Sequence, residues 1–213
     1  MTLAPPRFIT FEGGEGAGKS TQARRLAAAL EARGIPVTLT REPGGSAGAE
    51  QIRKLLVEGE PGRWDALTET LLMFAARTDH LVQTIRPALA AGHWVVCDRF
   101  TDSTYAYQGA GRGLDERTIT SIEQTAVQSF NPDLTMILDV PVTTGLSRAG
   151  ARGNSEARFE RFDEGFHARL RDFFQTLARR EPARCVLIDA VPAPDEVARN
   201  IWRAVATRFI EAK

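Results

Sequence analysis

The sequence predicts an α/β protein, a doubly wound, five-stranded parallel sheet flanked by helices and carrying a short lid. Two observations carry that expectation. Five short apolar runs alternate with helix-length amphipathic segments, and the first run passes through a glycine-rich loop straight into a helix. With 213 residues, 43% of them hydrophobic, the chain has enough apolar surface for one full core. A single domain over 1–213 is expected, with the lid at about 149–158.

Residues 7–11 (RFITF) read as the first strand. Residues 19–33 read as a helix whose inward face carries Ala23, Leu26, Ala27 and Leu30, and Gly34 stops it. Between them Gly13, Gly18, Lys19 and Ser20 fit G-x-x-x-x-G-K-[ST] in its strand–loop–helix context. The pattern has a direct physical meaning. The segment from Gly13 through Gly14, Glu15, Gly16, Ala17 and Gly18 can turn its backbone N–H groups around a polyphosphate, and the helix starting at Lys19, Ser20 and Thr21 adds its positive end. Lys19 reaches the terminal phosphates, and Ser20 is a magnesium ligand.

Residues 36–40 (PVTLT) form a second strand, followed by REPGG at 41–45, a shaped loop at a strand's carboxyl end where open parallel sheets bind ligands. Its Glu42–Pro43 bond is expected to be cis, because Arg41 must be aimed by a tight turn. A helix over 47–57 and a polar break over 58–64 come next. Residues 67–91 then read as one long helix with Leu71, Phe74, Ala75, Leu81, Ile85 and Leu89 at recurring three- and four-residue spacings. Residues 93–97 (HWVVC) read as a central strand, and 101–109 (TDSTYAYQG) as a loop plus a short helix.

A helix over 115–130, capped by Asp115 and turning Ile119, Ile122 and Ala126 inward, precedes a fourth strand at 134–140. A helix from 141 or 142 breaks at the lid. The stripe Phe159, Phe162, Phe166, Leu170, Phe173 and Leu177 marks core or a subunit interface. Residues 185–189 (CVLID) supply the fifth strand and 195–209 a closing helix.

Lys plus Arg and Asp plus Glu each total 27, so net charge is zero; with no basic stripe, neither nucleic acid nor an anionic membrane surface is expected as a partner. The basic residues are mostly arginine, suited to bidentate phosphate grip. Cys97 and Cys185 read as buried free thiols. The N-terminus lacks a charged-then-apolar signal and no apolar run approaches membrane-spanning length, so a soluble, cytoplasmic protein is expected.

Five segments in this order, EGGEGAGKST at 12–21, REPGG at 41–45, LMFAAR at 72–77, DRF at 98–100 and QGAGRG at 108–113, closely resemble bacterial thymidylate kinases along essentially the whole chain. The resemblance implies a P-loop nucleoside monophosphate kinase fold and transfer of the ATP γ-phosphoryl group to dTMP, giving dTDP and ADP. A homodimer, with Mg2+ as the metal, is implied too. It puts the 3′-hydroxyl of dTMP on Glu15 and its phosphate on Arg41 and Arg99. Phe74 is expected to stack on thymine while Arg77, three residues on and on the same helix face, donates to a base carbonyl. Thr104, Tyr107 and Gln108 are expected near base and sugar. Asp98 lies where the family has a carboxylate near magnesium, although it can equally orient Arg99. Some members carry a catalytic arginine inside the P-loop; that position is Gly16 here, so the lid must supply it. Arg152 is the expected phosphate-directed arginine, with Arg148 on adenine and Arg158 assisting. Lys19, Arg99, Arg152 and Glu15 make up the expected catalytic group. A kinase for another monophosphate and a nucleotide-driven switch are the competing readings; no N-K-x-D guanine-reading sequence supports the latter.

Overall fold

The computed structural model describes residues 5–128, 130–151 and 158–210. Five parallel strands, β1 (Phe8–Glu12), β2 (Val37–Arg41), β3 (Trp94–Asp98), β4 (Leu134–Asp139) and β5 (Cys185–Asp189), lie in the order β2-β3-β1-β4-β5. The three inner strands are almost wholly buried, as strands covered on both faces must be. The edge strands expose Leu39 and Leu187.

Strand alternation divides the core. Ile9 and Phe11 face one side, where they join Leu26 and Leu30 of α1 (Lys19–Glu31) and Ile201 of α9 (Pro194–Val205). Phe8 faces the other side with Phe74, Val95 and Phe100. That second side is covered by α3 (Ala66–His80), α4 (Arg86–Ala90) and α6 (Glu116–Ala126), while α2 (Ala47–Val57) packs on α3 and α5 (Thr101–Thr104) follows β3 in the chain. After β4 come α7 (Val142–Gly150) and α8 (Glu164–Arg180). No described helix is long and apolar enough to cross a membrane.

Several sequence expectations shift. The helix expected over 67–91 is interrupted by a π turn at Leu81–Ile85. Pro87 brings no N–H to the ladder, and the turn before it widens so that Arg86 N–H reaches Leu81 O. Leu71, 51% exposed, and Ala75 point outward, while Ala76 and Phe74 point in. The 101–109 stretch is helical throughout, α5 running into a π segment at Tyr105–Gly111. Asp115 stands at the start of α6 without a side-chain cap bond. In α8 Phe174 joins Phe166, Leu170 and Leu177 in the buried cluster, while Phe173 packs against it only partly buried, so the buried face is wider than the expected stripe. Cys97 and Cys185 are buried and free.

Strand register builds the binding edge. Phe11 pairs with Asp98, and Asp98 with Arg41, so the glycine loop, the Asp98–Arg99 turn and Arg41 leave the sheet at one level.

Candidate active site

Gly13 to Gly18 bridge β1 and α1, with positive φ at Gly13 (130°), Gly16 (66°) and Gly18 (91°). At Gly16 glycine is required twice over. A Cβ there would overlap the carbonyl oxygen of Gly145 in α7, and a Cβ on Gly145 would overlap Glu15 O. Helix α7 therefore buttresses the loop backbone to backbone. Lys19 curls over the loop, donating to Gly13 O at 3.1 Å and Gly14 O at 2.7 Å. Burial foremost, then the neighbouring Arg99 cation, holds its ammonium down at about 8, against the pull of Glu15 and Asp98.

Ser20 Oγ donates to Asp98 Oδ2, so the hydroxyl and carboxylate that could share a cation are already adjacent. Among the described residues no cluster of three or more His, Cys, Asp or Glu could hold a metal alone. A hydroxyl and one carboxylate beside a phosphate loop fit magnesium, which takes few protein ligands and completes its shell with phosphate oxygens and water.

A cleft of about 230 Å³ opens beside the loop. Glu15, Lys19, Ser20, Arg41, Arg77, Asp98, Arg99, Thr104, Tyr107 and Gln108 all line it, so most of the sequence-predicted residues converge. Arg99 stands at its centre. Its φ is +74°, and its guanidinium donates to Gly13 O (3.1 Å), Ser103 Oγ (3.1 Å), Glu15 Oε1 (3.0 Å) and Tyr107 Oη (2.8 Å). Tyr107 also donates to Glu15 Oε1 at 2.7 Å, and burial foremost raises its hydroxyl well above the usual range.

Arg77 is buried. It donates to Glu42 Oε2 at 2.7 Å, Thr104 Oγ1 at 3.1 Å and Phe100 O at 3.1 Å. Glu42 also meets His80 Nδ1 at 3.0 Å, and the Glu42–Pro43 peptide is cis. Gln108 donates its amide to Glu69 Oε1 at 2.8 Å; since a carboxylate accepts, this fixes the amide orientation and leaves Oε1 as the acceptor without a protein partner among the described residues. Arg41 is half exposed and pairs with Glu50 at 3.1 Å.

Three residues stand elsewhere. The ring of Phe74 is 2% exposed and sits in the core beside Phe8 and Phe100, so Met73, not Phe74, lines the cleft from α3. Arg148 reaches Ala190 O and Val191 O, outside the cleft lining. Arg158 is fully buried against Glu69 and donates to Leu56 O at 2.8 Å. Arg152 and most of the expected lid lie outside the described residues.

Sequence reasoning did not single out Glu12, Glu42, Glu69, Ser103 or Gly145 as site residues. Glu12 carried a signal: a carboxylate closing an otherwise apolar central strand.

A phosphate loop at a sheet edge, sharing one arginine-lined cleft with a second polar half, defines a P-loop kinase of nucleoside monophosphates. The family model for thymidylate kinase matches residues 11–201, and the chain belongs to that family. It is 53% identical over 204 residues to the thymidylate kinase of Rhizorhabdus wittichii, covering 95% of this chain and 98% of that one. To the thymidylate kinase of Caulobacter vibrioides it is 55% identical over 202 residues, covering 95% and 97%. The crystal structure of thymidylate kinase from Ehrlichia chaffeensis superposes with a TM-score of 0.76 at 34% identity, covering 94% of this chain and 98% of that one.

Proposed function

We infer that this protein transfers the γ-phosphoryl group of ATP to the 5′-phosphate of dTMP, giving ADP and dTDP on the route to dTTP. The observation that carries the reading is the position of Arg99, whose guanidinium touches Gly13 and Glu15 of the phosphate loop and Tyr107 of the segment that follows α5. One cation thus stands where donor and acceptor phosphates meet. Phosphoryl transfer asks a protein chiefly for such positioning and for charge around the moving group.

The loop amides and Lys19 hold the ATP phosphates, with Gly13, Gly14, Gly16, Ala17, Gly18 and Thr21 completing the cradle. Ser20 and Asp98 would hold Mg2+, which would supply positive charge to offset that of the phosphates. Arg41 and Arg99 take the dTMP phosphate, and Glu15 the sugar 3′-hydroxyl.

Base choice follows from two oriented groups. We assign the Arg77 donors to thymine O4, and Gln108 Oε1, buried at the cleft wall without a protein partner among the described residues, to thymine N3–H. Cytosine reverses both patterns, and each mismatched buried group costs about 1–3 kcal/mol. The thymine methyl group adds only ~1–3 kcal/mol, so dUMP is a poorer but real substrate. Thr104 steadies Arg77, and Tyr107 lies against the sugar. Phe74 supports Arg77 from the core side, its ring 4.8 Å from the guanidinium carbon. The remaining catalytic charge comes from Arg152 in a lid at about 149–158, with Arg148 at the adenine.

We read the chain as one domain and as a cytoplasmic homodimer. The free thiols Cys97 and Cys185 support the location. The exposed Leu67, Leu71 and Val82, spaced four and eleven residues apart on α3 and the turn that continues it, support an apolar subunit interface. Sedimentation equilibrium at micromolar concentration reads this directly, and a monomer mass would contradict it. The catalytic reading is tested by supplying ATP and magnesium with each nucleoside monophosphate in turn. ADP release is expected with dTMP, weakly with dUMP and barely with dCMP; equal rates with dTMP and dCMP would overturn the base assignment.

A further inference from the structure

Glu12 ends β1, and its side chain has no exposed surface. A carboxyl group buried there is costly unless its oxygens are matched. Both reach the turn after β3: Oε1 accepts from Phe100 N–H at 2.7 Å, and Oε2 lies 2.6 Å from Ser103 Oγ. The residue just before Phe100 is Arg99, held at a φ of +74° that arginine rarely adopts. Ser103 Oγ accepts from Arg99 Nη1 at 3.1 Å. Glu12 thus anchors the backbone that follows Arg99 and, through one serine, its guanidinium.

We propose that Glu12 is a positioning residue for the acceptor phosphate, holding Arg99 in place through Phe100 N–H and Ser103 without touching the substrate. This rests on the reading of Arg99 as a ligand of the dTMP phosphate. The hydrogen-bond inventory takes it further. An ionised Glu12 must receive the Ser103 hydroxyl proton. A protonated Glu12 instead donates to Ser103 Oγ, and the serine proton is then free to turn into the cleft that Ser103 lines. The charged and titratable groups facing Glu12 are Arg99, Asp102, Lys19 and the thiols of Cys97 and Cys185. Burial first, then the Asp102 carboxylate, pushes Glu12 up to about 8, against the opposing pull of Arg99 and its hydrogen bonds to Ser103 and Phe100. Burial thus favours the protonated form, and a glutamine reproduces it: one oxygen to accept from Phe100, one amide to donate to Ser103.

Calorimetric dTMP and ATP affinities, measured separately, and the pH profile of kcat/KM for dTMP distinguish the outcomes. Glu12→Ala is expected to weaken dTMP binding about tenfold or more while ATP binding stays within about twofold. Glu12→Gln is expected to keep dTMP affinity within about threefold and to alter the pH profile near 8, a range in which Lys19 also titrates. Ser103→Ala cuts one arm only and leaves the buried carboxyl in place, so it serves if Glu12→Ala does not fold; several-fold weaker dTMP binding with unchanged ATP binding is expected. Unchanged dTMP affinity in Ser103→Ala and Glu12→Ala, parallel loss of ATP affinity, or Glu12→Gln binding dTMP as weakly as Glu12→Ala would overturn the proposal. Arg99→Ala separates the two levels: if it leaves dTMP binding intact, the reading of Arg99 itself fails, whereas loss there with no effect at Glu12 or Ser103 removes only the role of Glu12.

Discussion

Arg99 and Glu15 form an ion pair in the cleft, Nη2 to Oε1 at 3.0 Å, with both side chains 16% exposed. Burial alone would raise the Glu15 carboxyl, but Arg99, then Lys19 and the Tyr107 hydroxyl, hold it down at about 2 against an ordinary 4.5. A folded-state value below the unfolded one means stability that is fully present above about pH 4.5 and is lost as pH falls toward 2. The amount is roughly 3 kcal/mol. Urea unfolding of the parent and of Glu15→Gln at several pH values between about 5 and 3 checks this. The parent's advantage should shrink steadily with acid; a gap independent of pH would contradict the linkage.

Gly16 and Gly145 meet backbone to backbone, and neither position has room for a methyl group. Gly16→Ala, and still more Gly16→Arg, must displace α7 and also strain a φ of +66°. ATP affinity should fall at least tenfold, a loss of about 1.4 kcal/mol. Titration with a non-hydrolysable ATP analogue reads the effect, and near-parental affinity in Gly16→Arg would show that α7 yields easily.

The Glu42–Arg77 pair is almost wholly buried, at 3% and 2% exposure. Removing one member of such a pair leaves an uncompensated charge, so Glu42→Ala should destabilise the fold by about 3–5 kcal/mol. It should also loosen Arg77, and with it the preference for dTMP over dCMP. Thermal unfolding together with the two kcat/KM values tests both halves; full selectivity in a destabilised variant would confine Glu42 to folding.

The P-loop offers no arginine at Gly16, so the proposed Arg152 carries the remaining charge on the transferring group. An arginine in that role is worth about 10³–10⁵ in rate. Arg152→Ala should depress kcat steeply with little change in dTMP affinity, and an unchanged kcat in single-turnover kinetics would remove the assignment.

The parts of this fold legible in the sequence are those whose cause is local. The glycine loop, the strands and most helices each announce themselves within a dozen residues, because periodicity and punctuation act over that range. What stayed hidden depends on neighbours distant in the chain. Phe74 and Met73 are both apolar and adjacent, and only the packing of α3 against Phe8 and Phe100 decides which one is core. Leu71 looked inward by spacing, but the interior side of α3 is taken by Phe74 and Arg77. Glu69 draws Arg112, Arg158 and Gln108 together from three later segments, a hub that no local pattern marks. The same pairing turns Arg158, expected beside the phosphates, into an anchor between chain segments.

The most direct test supplies ATP labelled at the γ-phosphate together with magnesium and dTMP, and follows where the label goes. Transfer predicts label in the β-position of dTDP, matched one for one by ADP and dependent on dTMP. Label appearing mainly as inorganic phosphate at a rate indifferent to dTMP would contradict the account.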